Sequence, residues 1–146
     1  MVRVLLVDDH AETLDTLALI YGLQPDVQVV GYARTAEETW QHMLHHPVDY
    51  VSLDIQMADG SGIALCRAIR STYPKVFIVV CSVDASPDVV QQAFDAGASS
   101  FLAKPVGVED VARALTACRK KLRGPLSKDD AMDLLTQAIL HLEEGM

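Results

Sequence analysis

At 146 residues, half of them hydrophobic, the chain has the apolar content for one domain with a modest extension. A net charge of −8 and a pI near 4.9 exclude the basic face that nucleic-acid binding requires. No apolar run approaches the ~20 residues of a membrane span, and Arg3, Asp8 and Asp9 cut the first run too short for a signal peptide. The three cysteines, Cys66, Cys81 and Cys118, are odd in number and lack any C-x-x-C pairing. Cys81 lies in an apolar run, so a reduced core thiol and a cytoplasmic home are expected.

Residues 2–7, VRVLLV, read as a buried strand that stops at Asp8-Asp9. Leu14, Leu17, Ala18 and Tyr21 recur at helical spacing and predict an amphipathic helix over about residues 11–23, ending near Gly22 and Pro25. Val27 to Tyr32 is a second β-rich run. A second helix is expected over about residues 35–46, with Ala36, Trp40 and Met43 inward and Pro47 as its stop. The third strand starts at Val48 and ends abruptly on Asp54, before a Gly-rich turn, Asp59-Gly60-Ser61-Gly62. Gly62, Leu65, Cys66, Ile69 and Tyr73 mark a third helix, closed by Pro74. Val76 to Cys81 is the most apolar run in the chain and ends at Ser82. Ser86 and Pro87 supply a cap and a first-turn proline for a fourth helix, with Val90, Ala93 and Phe94 on one face and Gly97 at its end. A short fifth strand, Ser99 to Ala103, ends at Lys104-Pro105. The fifth helix, over about residues 108–122, aligns Val108, Val111, Ala112, Leu115 and Leu122 on one stripe.

Strands alternating with helices predict an α/β domain, a doubly wound parallel sheet covered on both faces, because parallel crossovers need helices. In such a sheet all carboxyl ends lie on one edge, where ligands bind. The ends are Asp8-Asp9, Asp54, Ser82 and Lys104. Taken alone, Asp54 reads equally as a turn cap or as a chemical group; the convergence of the other ends favours a site. Two like charges about 4 Å apart at an effective dielectric of about 20 repel by about 4 kcal/mol. Lys104 offsets one carboxylate and not three, so either a pKa rises or a cation is bound. An all-oxygen donor set with few carboxylates suits Mg²⁺. A carboxylate beside a divalent cation and an ammonium fits phosphoryl transfer onto aspartate, with Ser82 available to the transferred oxygens.

Over about residues 2–122 the sequence resembles the receiver domain of bacterial response regulators. The resemblance rests on LLVDDH, LDIQMADGSG, VVCS and the DAGASSFLAKP run, in that order and at strand ends. It implies a flavodoxin-like five-stranded sheet of order 2-1-3-4-5 with five helices. It further implies that Asp54 is the phosphoacceptor and that Asp8, Asp9, Asp54 and the backbone carbonyl of Gln56 hold Mg²⁺. By the same resemblance Lys104 pairs with the phosphoryl group, Ser82 is the switch hydroxyl, Phe101 is the aromatic partner that turns inward, and the Lys104-Pro105 bond is cis. The implied partner is a sensor histidine kinase or phosphotransfer protein, and the chain is a signalling phosphoacceptor, not an enzyme. Two departures stand out. Met57-Ala58 replaces the family's common Met-Pro, which predicts a looser loop, and Val83 stands where Ala or Gly is usual, which predicts a narrower approach to Asp54.

Other readings carry less. GSGIAL at residues 60–65 lacks the third glycine of a dinucleotide fingerprint. Gln56 occupies the place of the second aspartate of a dehalogenase-type phosphatase. His42, His45 and His46 read as a solvated helix face, and Arg119, Lys120, Lys121 and Arg123 as cations favoured at a helix C-terminus. The alternatives are an interaction module of the same fold that signals without phosphorylation, or the receiver part of a helix-turn-helix transcription regulator. The receiver is expected over residues 1–123, followed by a linker and a C-terminal amphipathic helix over 124–146. In that tail, Ser127 and Asp130 resemble a capping box, and Ala131, Leu134, Leu135, Ala138 and Leu142 form an apolar stripe. A lone helix of this length is marginal in water, so the stripe is expected to pack on this domain, on a second copy or on another partner. A homodimer would form through this helix or through the face shared by the fourth helix, fifth strand and fifth helix.

Overall fold

The computed structural model describes residues 1–123, 132 and 135–140. Five strands, β1 (Val2–Val7), β2 (Val27–Ala33), β3 (Tyr50–Asp54), β4 (Phe77–Ser82) and β5 (Ser100–Ala103), form one parallel sheet of order β2-β1-β3-β4-β5. The helices α1 (Ala11–Gly22), α2 (Ala36–His45), α3 (Gly62–Thr72), α4 (Pro87–Asp95) and α5 (Val108–Arg123) make the crossovers. Every residue of β3 and β4 is buried, which is why these strands read as unbroken apolar runs and not as alternating ones. No described helix is long and apolar enough to cross a membrane.

Alternate side chains of the central strands feed two cores. Val4, Leu6, Tyr50, Val79 and Cys81 pack with Leu14, Leu17 and Tyr21 of α1 and Val111, Leu115 and Cys118 of α5. Leu5, Val7, Val51, Leu53, Ile78 and Val80 pack with Met43, Leu65, Cys66, Ile69 and Ala93 on the other face. Each fully buried Val, Leu or Ile contributes about 1.5–3 kcal/mol, so these layers set the strand positions. Inside the first core the Tyr21 and Tyr50 hydroxyls meet at 2.6 Å, satisfying two polar atoms that burial would otherwise penalise. All three cysteines are free and buried, and burial pushes each thiol up to about 11.

Polar ties fix the rim. The Arg70 guanidinium bonds the carbonyls of Gly97, Pro74 and Val76 and the Ser99 hydroxyl, joining α3 to the segments before β4 and β5. Arg119 grips Asp26 with two nitrogens, and Arg3 grips Asp49 in the same way. Arg119 therefore has a structural partner beyond the helix dipole.

Several sequence expectations need correcting. Phe94 is exposed, and on α4 only Ala93 is buried. Val108 and Leu122 are exposed too; the inner stripe of α5 is Val111, Ala114, Leu115 and Cys118. Ser86 makes no side-chain cap, and instead its N–H donates to Asp84. His45 and His46 are exposed as expected, but His42 is half-buried, its ring filling the space where a Cβ on Gly31 of β2 would stand. Burial and the neighbouring His46 lower the His42 pKa. In the tail, residues 135–140 are helical and exposed, including Leu135 and Ala138. Ser127, Asp130, Ala131, Leu134 and Leu142 lie outside the described residues.

Candidate phosphoryl-acceptor site

Strand register brings the polar ends together. Val7 pairs with Leu53, Asp54 with Cys81 and Ser82 with Ala103, so Asp8, Asp54, Ser82 and Lys104 follow one another across the carboxyl edge. Gly62 lets α3 begin tight against this edge, because a Cβ there would collide with the Ile55 backbone.

Asp8 is 1% exposed and Asp54 2% exposed. Lys104 Nζ lies 2.9 Å from Asp8 Oδ2 and 3.5 Å from Asp54 Oδ2. Asp54 Oδ1 accepts the Gln56 N–H at 2.9 Å. Burial raises the Asp54 pKa, and the Gln56 N–H and the Lys104 charge only partly oppose it. Burial would lower the Lys104 pKa, but its hydrogen bond to Asp8 and the charges of Asp54 and Asp8 outweigh that and leave it raised. Ser82, at the end of β4, is wholly buried, and its Oγ accepts the Asp84 N–H at 3.1 Å. Phe101 is half-buried and packs against the second core. The Lys104-Pro105 peptide is cis, as the resemblance implied.

Asp9 Oδ2 accepts the Ala58 N–H at 2.7 Å. A proline at this position has no N–H and could not make that bond. The Ala58 departure thus fastens the β3–α3 loop to Asp9, and the expected loosening is offset by a charge-assisted bond. Asp9 Oδ1 is buried without a hydrogen-bond partner, although the His10 ring lies 2.9 Å away in an orientation that does not form one. An orphaned carboxylate oxygen beside two further carboxylates is what a hard cation would satisfy. Candidate ligand atoms of Asp8, Asp9, His10 and Asp54 all lie within 4.8 Å of one another.

His10 was missing from the sequence reading. Its N–H and ring both reach Asp8 Oδ1, at 2.9 and 3.2 Å; its place directly after the acidic pair was the available signal. Val83 is 72% exposed and lines a groove with Lys104, Pro105, Val106 and the α1 residues Glu12, Thr13, Thr16 and Leu17.

A family profile described as "Response regulator receiver domain" matches residues 4–116. The DNA-binding transcriptional activator DevR/DosR of Mycobacterium tuberculosis is 32% identical over 93% of this chain and 70% of its own length. A protein-glutamate methylesterase/protein-glutamine glutaminase of Nocardioides sp. is 34% identical over 83% of this chain but only 34% of its own length. Among solved structures, a two-component response regulator of the LuxR family from Aurantimonas sp. has a TM-score of 0.75 at 25% identity, covering 94% of this chain and 97% of that one.

Proposed function

This chain belongs to the response regulator receiver domain family, and from that premise we propose that it accepts a phosphoryl group on Asp54 from a sensor histidine kinase or phosphotransfer protein. The carrying observation is the nearly buried Asp54 carboxylate, which shares Lys104 with Asp8 at the edge where Asp9 Oδ1 lacks a hydrogen-bond donor. Asp54 Oδ1 is occupied by the Gln56 N–H, so Oδ2, facing Lys104, is the attacking oxygen. The Oδ2–P bond forms as the donor's P–N bond breaks, and the departing imidazole takes a proton from solvent. Lys104 follows the charge that develops on the phosphoryl oxygens. Asp8, Asp9, Asp54 and the Gln56 carbonyl would hold Mg²⁺, which supplies further neutralisation of those oxygens. His10 stands at the rim of this set and not in it, because an all-oxygen shell suits Mg²⁺.

The product is a signalling state and not a released compound, so the chain acts as a phosphoacceptor and not as an enzyme. Its place is the cytoplasm, where the kinase's phosphohistidine is found. The Ser82 hydroxyl can donate to a phosphoryl oxygen while Phe101, on the neighbouring strand, follows the shift inward. Beryllofluoride with Mg²⁺ should therefore change amide exchange across residues 82–105 in wild type and much less in Ser82→Ala. A wild type that does not respond contradicts the proposed function, and an equal response in Ser82→Ala contradicts the role of the hydroxyl.

A further inference from the structure

Gln56 works in two directions. Its backbone N–H holds Asp54 Oδ1 at 2.9 Å, while its side-chain Oε1 accepts the Val83 N–H at 3.0 Å across the gap between the β3–α3 and β4–α4 loops. The amide orientation is forced, since a backbone N–H can only donate and only the amide oxygen can receive it. Val83 follows the buried Ser82, and its own side chain is exposed, so packing does little to hold this backbone. The next donors along the turn are also engaged: the Asp84 N–H by Ser82 Oγ and the Ser86 N–H by Asp84 Oδ1.

A phosphoryl group on Asp54 brings three strong acceptor oxygens beside backbone N–H donors that are already taken. Asp54 and Val83 are joined through a single residue, so the Val83 N–H is within one side chain's reach of the new oxygens. The bond it makes to Gln56 is neutral on both sides and exposed, whereas a bond to a phosphoryl oxygen is charge-assisted. We propose that Gln56 is a positioning residue that latches the β4–α4 loop in the resting state. Its amide oxygen occupies the Val83 N–H, and acyl phosphate formation at Asp54 draws that N–H away and frees the loop. This rests on the phosphoacceptor reading and adds the element that opposes switching. Removing the latch shifts the resting population toward the released loop, so the switched state becomes easier to reach.

The test compares Gln56→Met, which keeps length and the backbone groups but removes the acceptor, with Gln56→Glu, which keeps an oxygen. Gln56 is exposed, so both variants should fold. The first readout needs no phosphodonor: exchange of the Val83 amide hydrogen should be about fivefold faster in Gln56→Met and return to the wild-type rate in Gln56→Glu. The second is the beryllofluoride concentration, at fixed Mg²⁺, that half-converts the protein, which should fall about threefold in Gln56→Met. Val83 exchange within about twofold of wild type in Gln56→Met overturns the latch, as does an unchanged half-conversion in a protein that responds to the mimic. A wild type that never responds to beryllofluoride overturns the phosphoacceptor reading itself.

Discussion

Lys104→Met is expected to slow phosphoryl acceptance by about 100-fold, the usual cost of removing one preorganised charge from a transferring group. The variant keeps most of the side chain's volume and deletes the ammonium. It leaves the Asp8 and Asp54 carboxylates, both nearly buried, without the cation that lies 2.9 and 3.5 Å from them. Breaking a buried pair on one side costs about 3–5 kcal/mol, and Lys104 is only 17% exposed, so the metal-free domain should lose about 3 kcal/mol in urea unfolding. Mg²⁺ should restore part of that stability by neutralising the same carboxylate oxygens, but not the rate, because the ammonium that follows the charge on the transferring group is gone. An acceptance rate within about threefold of wild type would show that Lys104 is a structural counter-ion and nothing more.

Asp54→Asn should have the opposite effect on stability, raising that of the metal-free domain at neutral pH by about 1 kcal/mol. Burial raises the Asp54 pKa above its unfolded value. A group so raised contributes stability that is fully present below the unfolded pKa and is lost as pH rises through the folded one. At neutral pH the wild type holds a desolvated carboxylate that asparagine does not, while asparagine can still accept the Gln56 N–H and leave Lys104 to Asp8. The advantage of the variant should therefore shrink as pH falls through the raised Asp54 pKa. Added Mg²⁺ should narrow it at neutral pH, since binding to the native state stabilises wild type more. Thermal unfolding with and without Mg²⁺ across this range measures both trends. A variant less stable than wild type in the absence of metal would mean that the Lys104 contact, not desolvation, dominates at Asp54.

The sheet was legible because each strand is a short apolar run cut off by a polar residue, as at Val7-Asp8, Leu53-Asp54 and Cys81-Ser82. The same punctuation marked the candidate site, since a parallel sheet puts all those residues on one edge. Contacts between distant side chains leave no such mark. Nothing near Arg70 announces the Gly97 carbonyl or the Ser99 hydroxyl, and the Gln56–Val83 bond spans 27 residues. Helical spacing over-extended the inner stripes, because Val108, Leu122 and Phe94 keep the period but fall past the edge of the packed face. The Ala58–Asp9 bond was hidden for another reason: the substitution reads as a loss of proline stiffness, and its gain is a backbone N–H that no side-chain pattern records.

Exposure to acetyl phosphate and Mg²⁺ followed by intact-mass analysis tests phosphoryl acceptance at Asp54 most directly. Wild type should gain the mass of one phosphoryl group, chelation of the metal should prevent the gain, and Asp54→Asn should gain nothing under the same conditions. A label that persists in Asp54→Asn, or a folded wild type that takes none, would contradict it.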